Sequence, residues 1–450
     1  MVSRLLSDWK VLSWEKSSKN LFRLQARIFR VIFISNYKKA LLIQKLLLKS
    51  NSIRLLSIRE ITQLSSYKKF SGVDGKITLT FLERVELSEF LKIHFFNWKP
   101  QLYKKVHITD NRGTLRFFSI PTVADRVWQS LAKFALEPAH EAVFHPHNCG
   151  FRNSCSIFNS QKLILLNINK SSFGSQKRIL KVNLEPFFIE ISKNYVIQKL
   201  ICPRTIKLGV FRFFNVGFDL KYPENYSCPI DLSTLLSHIA LSGLESLHYS
   251  IRFGYELVFF LKPVHNEYKI IQKLKTFFSF VSLSVTKSFT NFTLFSTLQG
   301  FDFLGWHFKI LKSGQAGSYP SFNNYQLFLR RVKHIINNSN YGAVIKSLKL
   351  FPIVFNWRSY HQFCNMDSFR NSLFYIKKKA FKIFNNESKQ DSYSSKRLVD
   401  KSFVLSPVLD TKRSFSPYYG HLSFWLEEKF CTYPFYNKKT LCIFCGNFLE

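Results

Sequence analysis

The chain has 450 residues, is 46% hydrophobic and 17% aromatic, and carries 65 Lys and Arg against 28 Asp and Glu, a net charge of +37. That apolar content excludes a disordered polymer, and the length allows roughly two to four domains. A surplus of one sign this large repels itself unless a polyanion lies against it, which points to nucleic acid first and an anionic membrane surface second.

No uninterrupted apolar run approaches the ~18 residues of a membrane-spanning helix. The eight cysteines form no disulfide framework, as expected in a reducing compartment. The N-terminus has charges where a signal peptide needs its apolar stretch, and Asp8 suits a transit peptide poorly. With 49 Phe and only 16 Gly, the composition is one that AT-rich codons produce, so synthesis inside the compartment of action is expected.

In chain order, residues 9–63 read as helices: Leu21, Leu24, Ile28, Val31 and Ile32, then Leu42, Ile43, Leu46 and Leu47, set apolar stripes opposite Arg and Lys. Ser71-Gly72-Val73-Asp74-Gly75 reads as a turn. Between residues 106 and 311, short β runs (180–184, 256–261, 301–308) mix with helical stretches such as 123–136, an α/β pattern. The chain turns helical again over 326–336, 343–350 and 368–384. A Ser- and Lys-rich stretch over 386–420 is expected to be a linker, before a short aromatic tail.

The most specific signature is Gly113-Thr114-Leu115-Arg116, Ile120-Pro121-Thr122, Asp125-Arg126 and Gln129, running on through Leu136-Glu137-Pro138 and Glu141 to Gly150-Phe151-Arg152. It resembles the fingers and palm of reverse transcriptases encoded in group II introns, which read Arg-Pro-Leu-Gly-Ile-Pro-Thr, Asp-Arg, Gln, Leu-Glu-Pro and Gly-Phe-Arg in that order. Upstream, Leu24-Gln25-Ala26-Arg27-Ile28-Phe29 is similar to that family's N-terminal extension, and Gly72-Val73-Asp74-Gly75 to its fingers turn. Downstream, Phe303-Leu304-Gly305-Trp306 is similar to the strand closing its palm. The region of Trp357, Tyr360 and Phe369 resembles its helical thumb, the maturase domain X. The resemblance implies an α/β fold with reverse-transcriptase-like fingers and palm and a C-terminal α-helical thumb. The expected divisions are extension and fingers over 1–105, fingers and palm over 106–311, thumb over 319–385, the linker, and a tail over 421–450.

Copying RNA into DNA requires two divalent metals held by hard carboxylate oxygens. Where the family reads Asp-Ile-x-x-Phe-Phe-Asp, this chain has Asn183-Leu184-Glu185-Pro186-Phe187-Phe188-Ile189, so both aspartates are replaced. The family's Tyr-Ala-Asp-Asp hairpin aligns with Phe253-Gly254-Tyr255-Glu256, putting Tyr255 at its first metal-binding Asp and Glu256 at the second. Residues 225–230 share no identity with the Gly-Thr-Pro-Gln-Gly-Gly loop. A shifted trio of Glu185, Glu190 and Glu256 fails as well, because the first two differ by an odd number of positions and face opposite sides of a regular strand. No polymerase chemistry and no cofactor is expected; an active reverse transcriptase is the alternative these losses count against.

Cys442-Ile443-Phe444-Cys445 resembles half of the family's zinc-bearing endonuclease module, and is expected to be a truncated remnant unless Cys431 or His421 completes it. Cys202, Cys228 and Cys364 read as core residues. Trp357, Tyr360 and Phe369 read as thumb packing in preference to base stacking. The resemblance then implies a maturase: an RNA-binding factor that assists splicing of group II introns, or their shortened group III relatives, in plastid pre-mRNA, with a mitochondrion as the alternative site. Its partner would be intron RNA, with no membrane and room for a homodimer. The residues expected to hold RNA are Arg27, Arg30, Lys38, Lys39, Arg116, Arg126, Arg152, Arg330, Arg331, Lys333, Lys377, Lys378 and Lys379.

Overall fold

The computed structural model describes residues 9, 12–64, 71–109, 115–152, 155–184, 191–217, 232–281, 292–311, 313–388 and 391–403; for 107–109, 115–118 and 388 it describes the backbone alone. The first helices whose full span is described are α1 (Trp14–Phe33), α2 (Tyr37–Lys49) and α3 (Asn51–Arg59). Ser13 and Asn36 cap the first two by accepting from the backbone N–H of Lys16 and Lys39. Helix α1 buries the expected stripe of Leu21, Leu24, Ile28, Val31 and Ile32. Helix α2 does not: it buries Ala40, Ile43, Gln44, Leu47 and Leu48, and leaves Leu42 and Leu46 exposed. Gln44 is a polar member of that inward face, and Leu42 and Leu46 lie on the other side of the helix.

After α4 (Phe81–His94), capped by a reciprocal Thr80–Glu83 box, the strands β1 (Lys104–Thr109) and β2 (Leu115–Ile120) pair antiparallel. Helix α5 (Val123–Glu141) follows and carries Pro138 in its interior. A proline there has no N–H for the carbonyl four residues earlier, which is that of Phe134. Gln25 of α1 supplies the missing donor, its Nε2 lying 3.1 Å from Phe134 O, while Gln44 of α2 donates to Ala135 O and Ile201 O, each at 2.9 Å. Gln25 thus satisfies the carbonyl that Pro138 leaves without its helical donor.

Helix α6 (Ile157–Ile168), strand β3 (Arg178–Asn183), helices α7 (Lys193–Lys199), α8 (Arg204–Asn215) and α9 (Leu232–Ala240), strands β4 (Ser250–Phe253) and β5 (Glu256–Leu261), helix α10 (Glu267–Val281) and strand β6 (Phe292–Ser296) follow. The four strands form one antiparallel sheet in the order β4-β5-β3-β6. Leu180, Val182, Leu257, Phe259 and Leu261 face a core shared with the N-terminal helices and α5, whereas Ile179, Ile251, Phe253, Val258 and Phe260 face a second core. Both faces of β5 are covered, which is why Leu257 to Leu261 read as a continuous apolar run.

That second core is closed by a three-stranded sheet of β7 (Phe301–Phe303), β8 (Trp306–Ile310) and β9 (Ala316–Pro320). Residues 301–308 are therefore two strands and not one. Leu304 and Gly305 both take positive φ, 54° and 79°, and make the two-residue turn between them.

Four helices complete the described chain: α11 (Phe322–Ile336), α12 (Ala343–Tyr360), α13 (Arg370–Ser388) and α14 (Ser392–Ser402). They enclose a third core that includes Phe328, Val332, Leu350, Val354, Trp357, Ile376, Ala380, Phe384 and Val399. The expected linker accordingly begins as helix: α14 packs Val399 into this core, and the remainder of 386–420 beyond residue 403 lies outside the described residues. Lys346, fully buried in α12, is paired with Glu387 of α13. No described helix is long and apolar enough to cross a membrane. The described residues form a mixed helix and sheet protein, with helices before and after the sheets.

Candidate functional site

The positions expected to correspond to the family's metal-binding residues meet at one end of the four-stranded sheet. Asn183 closes β3 opposite Glu256, which opens β5, and Tyr255 lies in the turn between β4 and β5, its carbonyl accepting from Leu184 N at 2.7 Å. That turn is clamped by the Gly150-Phe151-Arg152 segment. A Cβ on Gly150 would lie 2.2 Å from Gly254 N, and Gly254 itself takes φ +61° with the Phe151 ring against it. The two motifs interlock because both glycines lack side chains.

Glu256 is engaged by the protein's own groups. Lys181 Nζ lies 3.1 Å from its Oε2 and donates to Asp302 O at 2.8 Å, and Leu304 N donates to the same carboxylate oxygen at 3.4 Å. The hydroxyl of Tyr360, on α12, donates to Leu304 O at 2.5 Å, and its ring stacks on Trp306 at 4.9 Å. Burial first, and the Glu256 charge second, hold this phenol protonated well above the ordinary tyrosine range. One carboxylate thereby joins β3, β5 and the β7–β8 turn, and α12 is bolted to the same turn. Among the described residues no three or more His, Cys, Asp or Glu are grouped to hold a metal ion. Glu185, Glu190, residues 225–230, Cys228, His421, Cys431, Cys442 and Cys445 lie outside the described residues.

The described part of the signature that runs from Thr122 to Arg152 packs inside the fold, so two expected RNA contacts need correction. Thr122 caps α5 and Asp125, buried beside it, accepts from Trp98 Nε1 at 2.8 Å and Thr122 Oγ1 at 2.7 Å. Arg126 is buried and donates through Nε to Pro121 O. Arg152 is buried against Glu141, with Nη2 2.7 Å from Oε1, and its Nη1 donates to the carbonyls of His145 and Asn148. Both guanidiniums are buried, Arg152 among carboxylate and carbonyl oxygens and Arg126 with its Nε on the carbonyl of Pro121. A second buried pair, Arg252 with Glu245, lies nearby, and Cys149 N donates to Arg252 O. The side chain of Arg116 lies outside the described residues.

The remaining candidates do reach the surface. Arg27 and Arg30 on α1, Lys38 and Lys39 on α2, Arg330, Arg331 and Lys333 on α11, and Lys378 and Lys379 on α13 are all exposed. Lys377 differs from its neighbours: its Nζ pairs with Asp400 of α14 at 2.7 Å. Trp357 stacks on Phe328 at 4.3 Å and donates to Asn324 Oδ1, and Phe369 lies 4.4 Å from Tyr325, so both pack in the third core. Cys202 is buried and Cys364 half-buried.

Residues 9–91 match the N-terminal domain of reverse transcriptase. Over 453 aligned positions the chain is 48% identical to maturase-like protein 1 of Euglena gracilis, covering 98% of this chain and 97% of that protein. The chain belongs to the maturase-like proteins of the reverse-transcriptase family. It is also 44% identical over 418 positions to maturase-like protein 1 of Euglena longa, spanning 92% and 91% of the two chains.

In this maturase-like chain, sequence reasoning had passed over Lys181 and the exposed Lys396, Arg397 and Lys401 on α14. Strand periodicity contained a signal for the first. Lys181 and Asn183 share a face of β3, and the register sets Lys181 diagonal to Glu256. The α14 residues were hidden because their stretch had no recognised helix to display them.

Proposed function

We propose that the chain is an RNA-binding maturase that assists splicing of group II or group III introns in plastid pre-mRNA and carries no polymerase chemistry. The observation that carries this reading is a contrast in how charge is used. The carboxylate of the sheet end is taken up by Lys181, while the cations of the terminal helices stay turned to solvent. A two-metal polymerase needs several carboxylates converging on ions. Asn183 and Tyr255 stand where the family has two of them, and Glu256 is committed to a joint between strands. In this reading the four-stranded sheet is a palm kept as a frame, and α11–α14 form the thumb.

Splicing assistance asks little of such a protein. An intron that catalyses its own splicing needs only preferential binding of its folded form, worth a few kcal/mol. Cations spread over both ends suit recognition of phosphates across a folded RNA surface. Synthesis within an organelle is supported by the composition, and the Euglena relatives are consistent with an organellar gene.

Two measurements test the proposal. Primer extension on an RNA template, with magnesium or manganese, should give no product; incorporation abolished by Glu256→Gln would overturn the reading of the palm. Binding to intron RNA should weaken steeply with salt, with a log–log slope of about −4 or steeper if six or so phosphates are contacted, at ~0.7 per phosphate. A flat salt dependence would remove the basic helices as the source of affinity.

A further inference from the structure

Helix α13 carries two large rings into solvent. Phe374 is 63% and Tyr375 69% exposed, side by side, with centroids 6.3 Å apart and planes inclined at 67°. The inward face of the helix is fully provided for by Ile376, Ala380 and Phe384. Phe374 and Tyr375 are therefore not displaced core residues; they lie on the face opposite that one.

Their neighbours are basic. One helical turn on, at i+4 from each ring, stand Lys378 and Lys379, and Lys382 follows, all exposed. Among the described residues no carboxylate lies within ion-pair distance of these three, in contrast to Lys377, which Asp400 neutralises. Two rings beside three uncompensated ammonium groups are what an unpaired polynucleotide requires. Its bases stack on aromatic faces while its phosphates meet cations, and every base has a face to stack whatever its identity. A folded duplex hides its base faces and could use only the lysines.

We infer that the outward face of α13 is a stacking platform for a single-stranded RNA segment. Phe374 and Tyr375 take unpaired bases, and Lys378, Lys379 and Lys382 hold the flanking phosphates. The inference rests on the RNA-binding reading above and names the part of the RNA this helix takes. Unpaired loop or junction nucleotides of the bound RNA would dock here, whereas the cations of α1, α2 and α11 serve any phosphate surface.

The test uses the full chain with two labelled probes, a single-stranded oligouridine of about 12 nucleotides, matched to known site sizes, and a blunt RNA duplex of similar length. The double variant Phe374→Ala/Tyr375→Ala should bind oligouridine at least tenfold more weakly with an unchanged salt slope, as expected from ~1–3 kcal/mol per stacked base. Its duplex affinity should stay within about twofold of wild type, and Tyr375→Trp should keep single-strand binding. Lys378→Ala/Lys379→Ala should weaken both probes and flatten the oligouridine salt slope by about 1.4, at ~0.7 per phosphate.

Unchanged oligouridine binding by the folded aromatic variant, with the lysine variant impaired, would overturn the stacking platform and leave the RNA-binding reading standing. Absence of binding to either probe by wild type would overturn both. A fall in particle mass by light scattering for the aromatic variant, with RNA binding intact, would make this face a contact between copies of the chain and overturn the inference.

Discussion

At the scale of single residues, the chain spends its buried polar groups on repairing its own backbone. Gln25 replaces the donor that Pro138 cannot supply to Phe134 O. Gln25→Leu should cost about 1–3 kcal/mol in urea unfolding, the usual penalty of a buried unsatisfied carbonyl. On a Pro138→Ala background, where residue 138 regains an N–H, the same change should cost at least ~1 kcal/mol less; strictly additive costs would refute the compensation. Glu256 and Lys181 offer a second cycle, since each partly buried charge loses its partner when the other is removed. Lys181→Met and Glu256→Gln should each lower the unfolding midpoint, and the double variant should fall short of their sum. The assignment of Arg126 and Arg152 as surface cations went wrong at this scale too, because charge alone does not reveal burial. The partner of Arg152 was nonetheless within reach: Glu141 lies eleven residues upstream, in the same motif.

At the scale of elements, the two glycine-containing turns hold the sheet end together. Gly150→Ala would push a Cβ to 2.2 Å from Gly254 N, so backbone must move, and a loss of about 1–3 kcal/mol is expected. Gly342→Ala, ahead of α12, meets nothing within 4 Å and should cost under ~1 kcal/mol; equal losses at both positions would contradict the interlock. How legible an element was depended on its neighbours. Strand β5 was legible to its bounds, because Glu256 leads straight into the unbroken apolar run Leu257 to Leu261 just after the turn at Gly254. The β7–β8 hairpin was not, since Phe303-Leu304-Gly305-Trp306 reads as continuous apolar strand, and the positive φ at both Leu304 and Gly305 is what makes the reversal. Helix α14 was missed because its Ser, Lys and Arg outnumber the few side chains it buries, and tertiary packing against α12 and α13 supplies what periodicity does not.

At the scale of the whole molecule, the architecture sets a core of neutral histidines inside a strongly cationic shell. Burial pushes His140 down to about 3, and His147 and His361 to about 4. These depressed histidines stay neutral in the fold but protonate in the unfolded chain below about 6.5, so the unfolded state binds the extra protons. Stability should therefore fall as pH drops from about 6.5 towards 4, by at most ~1.4 kcal/mol per pH unit for each histidine. A urea midpoint that is constant or rises over that range would contradict this. The claim that joins the scales is that RNA is held by the outward cations of the terminal helices and that the sheet end has no chemical role. Its most direct measurement is splicing of the cognate precursor RNA by two variants of the full chain. Lys378→Glu/Lys379→Glu, which reverses two charges on α13 and leaves the Lys377–Asp400 pair in place, should leave the precursor unspliced, whereas folded Tyr255→Ala should splice near the wild-type rate. Wild-type splicing by the charge-reversed variant, or loss of splicing by a folded Tyr255→Ala, would contradict the account.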